Sequence, residues 1–261
     1  GGLNPVLFIS IELTAIVAFV ASGFVIRSLV SKRPRAAQIA FYVFPISIAG
    51  VLYRESSIIV VGLLLASIWA YNQDRLFTSA LLLGVSTFKF ITALVVPILI
   101  ISTIRDENLG DIKYVITGLA VSQIPNFVYW ILFPDDFWLL IEARGALTIY
   151  ANRMSYQLLL LPINGNISVE YYKTYIFPVI LIMFLISTAL LIWKGNLNLH
   201  SGAACVVFPI TFLSPAEARP LVFAALALIT LSDTEFPMLD IGYALIFVVA
   251  AGRHITFALR A

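Results

Sequence analysis

The chain has 261 residues, of which 61% are hydrophobic and 11% charged, with a mean hydropathy of +1.00. A soluble domain carries about a quarter charged residues, so this composition excludes an ordinary globular enzyme. Long apolar runs recur from end to end, without the short alternating segments of a membrane barrel, and point to an all-α polytopic transmembrane bundle. The net charge of +2, with no basic stripe interleaved with aromatics, gives no support to a nucleic-acid partner.

The chain opens Gly1-Gly2-Leu3 without an initiator Met, and no basic segment precedes the first apolar run. That run is therefore not expected to be a signal peptide, and the expectation is a processed chain or one lacking an upstream part. The first span covers residues 5–30, long enough for a ~30 Å hydrocarbon core at ~1.5 Å per residue. It ends among Arg27, Lys32, Arg33 and Arg35, the densest basic cluster, which the positive-inside tendency assigns to the cytoplasmic side. Glu12 lies about two turns inside this helix, where a structural partner or a cavity-facing position is expected rather than lipid exposure.

The next runs, 39–52, 57–71, 76–88 and 91–104, are only 13 to 15 residues each. About 20 residues are needed to span, so some turns between these helices must lie below the membrane surface. Such turns are tolerated only where protein or a water-filled cavity covers them. Alternation from the basic cluster sends the 53–56 and 88–90 turns outside, and the 72–75 turn and the 105–113 segment inside. A fuller span, 114–133, leads to residues 134–173, read as one long external loop with interfacial helix. This loop holds Asp135, Asp136 and the Asn166-Ile167-Ser168 sequon. Tyr171, Tyr172 and Tyr175 resemble an interfacial aromatic belt before the span 174–193, after which Lys194 is inside. A short pair, 201–213 and 221–231, flanks an outer turn at 214–220, and a last run, 238–251, leads to Arg253, His254 and Arg260. The total is about ten membrane segments, several of them short, in one membrane domain spanning 1–261 with no internal repeat.

Under this alternation Arg54, Glu55, Lys89, Glu217 and Arg219 all fall at turns of short hairpins on one side. They suggest a recessed external cavity lined by both signs of charge, in which a cation suits a phosphate. Ion pairs within the turns, Arg54–Glu55 or Glu217–Arg219, are the alternative. Nothing in the sequence implies a cofactor: there is no Walker loop, no GxGxxG before a helix, no HExxH and no nucleophile elbow. His200 and His254 lie at opposite predicted helix ends, so no metal site is expected. The single cysteine, Cys205, sits in an apolar run and reads as a small buried hydrophobe.

The order of several polar anchors carries a resemblance. Leu7-Phe8-Ile9-Ser10-Ile11-Glu12-Leu13-Thr14-Ala15 is followed by the basic turn, Phe44-Pro45, Arg54-Glu55-Ser56-Ser57, and residues 80–89 with Pro97 beyond. This order resembles the C-type membrane glycosyltransferases that use polyprenyl-phosphate-sugar donors. It is most similar to the catalytic subunits of glycosylphosphatidylinositol mannosyltransferase I and their prokaryotic relatives. The resemblance implies transfer of a mannose-like sugar, with inversion, from a polyprenyl-phosphate donor to a lipid- or protein-linked acceptor on the external face. Lys89 then matches a family lysine near the donor phosphate, Arg54 the arginine of a short turn, and Glu12 an acidic position after the catalytic loop. The family's catalytic acidic residue is expected upstream of Gly1, and the 214–219 turn departs from the family's polar-aromatic pattern. The implied surroundings are the plasma membrane in a prokaryote or the endoplasmic reticulum in a eukaryote. The implied partners are the polyprenyl-phosphate-linked sugar, a lipid or glycan acceptor and membrane lipids. Two alternatives stay open: a non-catalytic subunit assembled with another membrane subunit, and a transporter or lipid flippase.

Overall fold

The structure, a computed structural model, describes residues 5–44, 47–48, 51, 56–88, 90–106, 109–139, 171–213 and 220–232. Among these residues it is helical throughout, with no strand. In chain order the helices are α1 (Pro5–Leu29), α2 (Pro34–Val43), α3 (Ser56–Tyr71), α4 (Leu76–Ser86), α5 (Phe90–Ala93) and α6 (Val95–Asp106). They continue with α7 (Ile112–Ser122), α8 (Ile124–Leu132), α9 (Phe177–Trp193), α10 (Leu199–Leu213) and α11 (Pro220–Ser232). Three stretches are long and apolar enough to cross a membrane: Glu12–Leu29, Leu109–Leu132 and Thr174–Trp193. Each is mostly unburied by protein, and large apolar side chains such as Leu13, Phe24, Ile131 and Met183 lie on its surface. That is how a chain whose solvent is hydrocarbon presents itself.

Prolines set several of the helix ends. The run expected over 39–52 is divided: α2 begins with Pro34 in its first turn and stops at Val43, and Phe44 is extended (φ −70°, ψ 125°). Phe44 precedes Pro45, whose ring disfavours helical backbone in the residue before it. The 91–104 run is likewise interrupted at Leu94, because Pro97 has no N–H to give the Ala93 carbonyl. The 114–133 span starts earlier, with a 3₁₀ turn at Leu109–Asp111, and breaks at Gln123. Pro125 there leaves the Val121 carbonyl without its i+4 donor. Before α9, Phe177 N–H reaches back five residues to Tyr172 O in a π-turn that accommodates Pro178.

The chain forms two compact units, Gly1–Asp74 with Pro220–Ala261, and Arg75–Arg219. In the first, α1 packs along α2 and α3, and α11 joins α2 and α3. The α1–α2 pair is a hairpin in which α2 returns only part of the way. Phe41 and Tyr42 stack around Phe19, and Tyr42 donates its hydroxyl proton to Val20 O at 2.7 Å. α2 therefore ends level with the middle of α1. Arg27, Lys32, Arg33 and Arg35 are all exposed around the turn.

In the second unit α4 and α7 make the tightest packing. A Cβ on Gly118 would meet Phe77 O at 2.5 Å and Ala80 Cβ at 2.9 Å. One on Gly84 would meet Ser122 Oγ within bonding distance. Small residues four apart on each helix, Ala80 and Gly84 against Gly118 and Ser122, let the backbones nearly touch. The order of the contacts, 77–81 with 118 and 84 with 122, makes the two helices parallel. α9 and α10 form an antiparallel hairpin fixed by the Phe184–Phe208 stack at 5.9 Å and by Gly202 against Ile192. Its turn is a Schellman closure: Gly195 sits at φ +75°, its N–H bonds Ile192 O at 2.8 Å, and Asn196 N–H bonds Leu191 O at 2.9 Å. Asn198 Oδ1 then caps α10 by accepting from Ser201 N–H.

Arg105 ties α6 to this turn. Its Nη1 donates to Ile192 O at 2.8 Å and Leu197 O at 2.9 Å, while Nε and Nη2 grip the Asp106 carboxylate. The guanidinium thus satisfies carbonyls at the negative end of α9. Arg105 and Lys194 consequently share one end of the unit. Three stability outcomes follow. Arg105→Ala lowers stability by about 1.5–3 kcal/mol, the range for hydrogen bonds to a charged group. Gly118→Ala costs about 1–3 kcal/mol by overpacking against a carbonyl that cannot move aside. Gly110→Ala, where a Cβ meets nothing within 4 Å, leaves the thermal midpoint of the detergent-purified protein unchanged.

Candidate functional site

The residues of greatest interest surround the tip between α4 and α5. α4 starts at the same end of the unit as Asp106, because it runs parallel to α7, whose first residues follow α6 through the Leu109–Asp111 turn. α4, α5 and α6 therefore enter and leave at one end, and the hairpin they make does not traverse the unit. With 11 residues, α4 is about 16 Å long. Its tip is level with Gln123, nine residues short of Leu132, the end of the 24-residue candidate span. At ~1.5 Å per residue the tip lies about 14 Å below that end of the span. The 76–88 and 91–104 runs thus form a short hairpin that does not reach the far end of the unit.

Backbone that turns away from water must be satisfied locally, and side chains around this turn donate to its carbonyls. Ser86 Oγ donates to Leu83 O, Thr87 Oγ1 to Gly84 O at 2.6 Å, and Thr92 Oγ1 to Ser86 O at 2.8 Å across the turn. Gln123 closes the tip from the neighbouring helix. Its Nε2 lies 3.1 Å from Gly84 O, 3.1 Å from Ser122 Oγ and 3.4 Å from Thr87 Oγ1, and its Oε1 accepts from Asn126 Nδ2 at 2.9 Å. The break at Pro125 puts Gln123 at a helix end, where its amide can turn to the hairpin instead of lying along α7. Sequence reading passed over Gln123 and Asn126; the signal for them was two amides three residues apart in an otherwise apolar span.

Of the expected site residues, Glu12 is described: it is half-buried on α1, in the first unit. Lys89, Arg54, Glu55, Glu217 and Arg219 lie outside the described residues. So do most of the expected 134–173 loop with its sequon and the last run, 238–251; Asp135 and Asp136 are exposed on a helical stretch at 134–139. Lys89 follows Thr87 by two residues in sequence, so the ordered tip is the chain's approach to it. Among the described residues no three of His, Cys, Asp and Glu stand close enough to hold a metal ion. At the start of the π-turn, Tyr172 is buried against Ile176, Phe177 and Ile180, and desolvation pushes its phenol above the ordinary tyrosine range.

No protein family, curated protein or solved structure matches this chain. The Gln123 clamp can be checked directly. Gln123→Leu removes one of the two side-chain donors to the Gly84 carbonyl and leaves Asn126 without its acceptor, at a cost of about 0.6–2 kcal/mol in a membrane helix pair. The expected readout is a lower thermal midpoint together with faster thiol labelling when Thr87→Cys is combined with it in a Cys205→Ala background.

Proposed function

We propose that this chain is a C-type membrane glycosyltransferase, transferring a mannose-like sugar from a polyprenyl-phosphate donor to a lipid- or protein-linked acceptor. In this proposal about ten membrane segments enclose a recessed external cavity, residues 134–173 form an external loop, and the protein resides in the plasma membrane or endoplasmic reticulum. The observation that supports it most is the short hairpin of α4–α6, whose polar tip directly precedes Lys89 in sequence. Lipid phosphates lie near the membrane surface, and a cation recessed in low dielectric binds a departing phosphate more strongly than a solvated one. Lys89 and Arg54 are assigned to the phosphate. Glu55, Glu217, Arg219 and Glu12 are the remaining substrate-binding candidates.

Sugar transfer from a polyprenyl-phosphate donor, assayed in membranes containing the full chain, tests this. Lys89→Ala is expected to lower kcat on the order of a hundredfold, the scale for removing one stabiliser of developing charge. Lys89→Arg retains part of the rate, and Arg54→Ala gives a smaller loss. Full activity in Lys89→Ala would overturn the assignment.

One observation favours a second reading, a subunit assembled with another membrane chain. α8 carries Ile124, Phe127, Val128, Ile131 and Leu132, all exposed, and none of its residues is buried. Co-purification of a stoichiometric membrane partner whose removal leaves no intrinsic transfer activity would decide for that reading.

A further inference from the structure

The side of α8 next to the hairpin tip carries polar chemistry that the hairpin leaves unused. Gln123 commits its amide to Gly84, Ser122 and Asn126. Asn126 gives one N–H to Gln123 Oε1. Among the described residues its other N–H and its Oδ1 have no protein partner, and the side chain is exposed. Asn126 lies inside the apolar stretch Leu109–Leu132, where an amide facing hydrocarbon is unfavourable. One turn on, Trp130 is 40% exposed, with its ring tilted against Phe127 at 5.8 Å. Positions four apart on a helix are neighbours, so the open amide and the indole lie on one strip of α8.

We propose that Asn126 and Trp130 form the subsite for the glycosyl ring of the lipid-linked donor, beside the tip that leads to its phosphate. This rests on the polyprenyl-phosphate-sugar reading above and deepens it. The chemistry selects the group. An anion needs donors alone, whereas the remaining Asn126 N–H and Oδ1 offer one donor and one acceptor side by side, the complement of a hydroxyl pair. The indole offers an apolar face for the C–H side of a pyranose and a polar N–H edge. Gln123 is a positioning residue: its Oε1 fixes which way the Asn126 amide points.

The test compares two probes on the detergent-purified full chain: polyprenyl-phosphate mannose, and the same polyprenyl phosphate without sugar. Asn126→Leu and Trp130→Ala are each expected to weaken binding of the sugar-bearing lipid about tenfold or more and leave the bare lipid phosphate unchanged. Retained binding of the bare lipid serves as the check that each variant is folded. Equal weakening of both lipids, or of neither, overturns the subsite while the donor reading stands. Wild-type protein that binds neither lipid overturns the donor reading and the subsite together.

Discussion

Backbone that leaves helical form inside a membrane has no water to satisfy it, and that constraint organises the second unit of this protein. The turn between α4 and α5 occurs level with the middle of the Leu109–Leu132 stretch, and the hydroxyls of Ser86, Thr87 and Thr92 each have a partner at hand. Three hydroxyls turn back on carbonyls of the hairpin, and the Gln123 amide reaches across from α7. The tip is held by side chains because no continuing helix can hold it. Close packing of α4 on α7 through Gly84 and Gly118 brings the amide within reach. A larger residue at either glycine would separate the helices and uncover the turn.

The same economy recurs at the other end of the unit. Arg105 meets carbonyls that the end of α9 cannot use internally, and Gly195 closes the turn in a conformation that favours glycine. The two ends differ in kind. The Arg105 end uses a full charge, a carboxylate and a tight turn, chemistry suited to an aqueous face. The tip uses neutral hydroxyls and amides, which cost less to bring into a membrane than charges. Lys89 follows this neutral tip directly in sequence, and that is why it carries the functional proposal.

Much of the helical layout was legible in the sequence. Apolar length located α1 and the 174–193 span within a residue or two, and the 76–88 and 91–104 runs are indeed short helices. Less legible were the interruptions. Pro45, Pro97 and Pro125 sit in runs whose hydropathy barely changes across them, so apolar length alone merged segments that the missing N–H divides. The candidate site was legible by its charges only. Hydropathy flags Lys89 and Arg54 at once, whereas Gln123 and Asn126 are neutral and acquire meaning when α4 and α7 run parallel, a relation that joins residues 39 apart in sequence. The direction of that pairing rests on Ala80, Gly84, Gly118 and Ser122, small residues that read individually as unremarkable.

The recessed tip is the claim on which the rest stands, and disulfide cross-linking measures it most directly. In a Cys205→Ala background, Thr87→Cys is paired with Gln123→Cys or with Leu132→Cys, oxidised in membranes and read by mass spectrometry of tryptic peptides. The Gln123 Nε2 to Thr87 Oγ1 separation of 3.4 Å predicts efficient formation of the 87–123 link and none at 87–132. A link at 87–132 with none at 87–123 would place the turn at the end of the span and contradict the re-entrant hairpin.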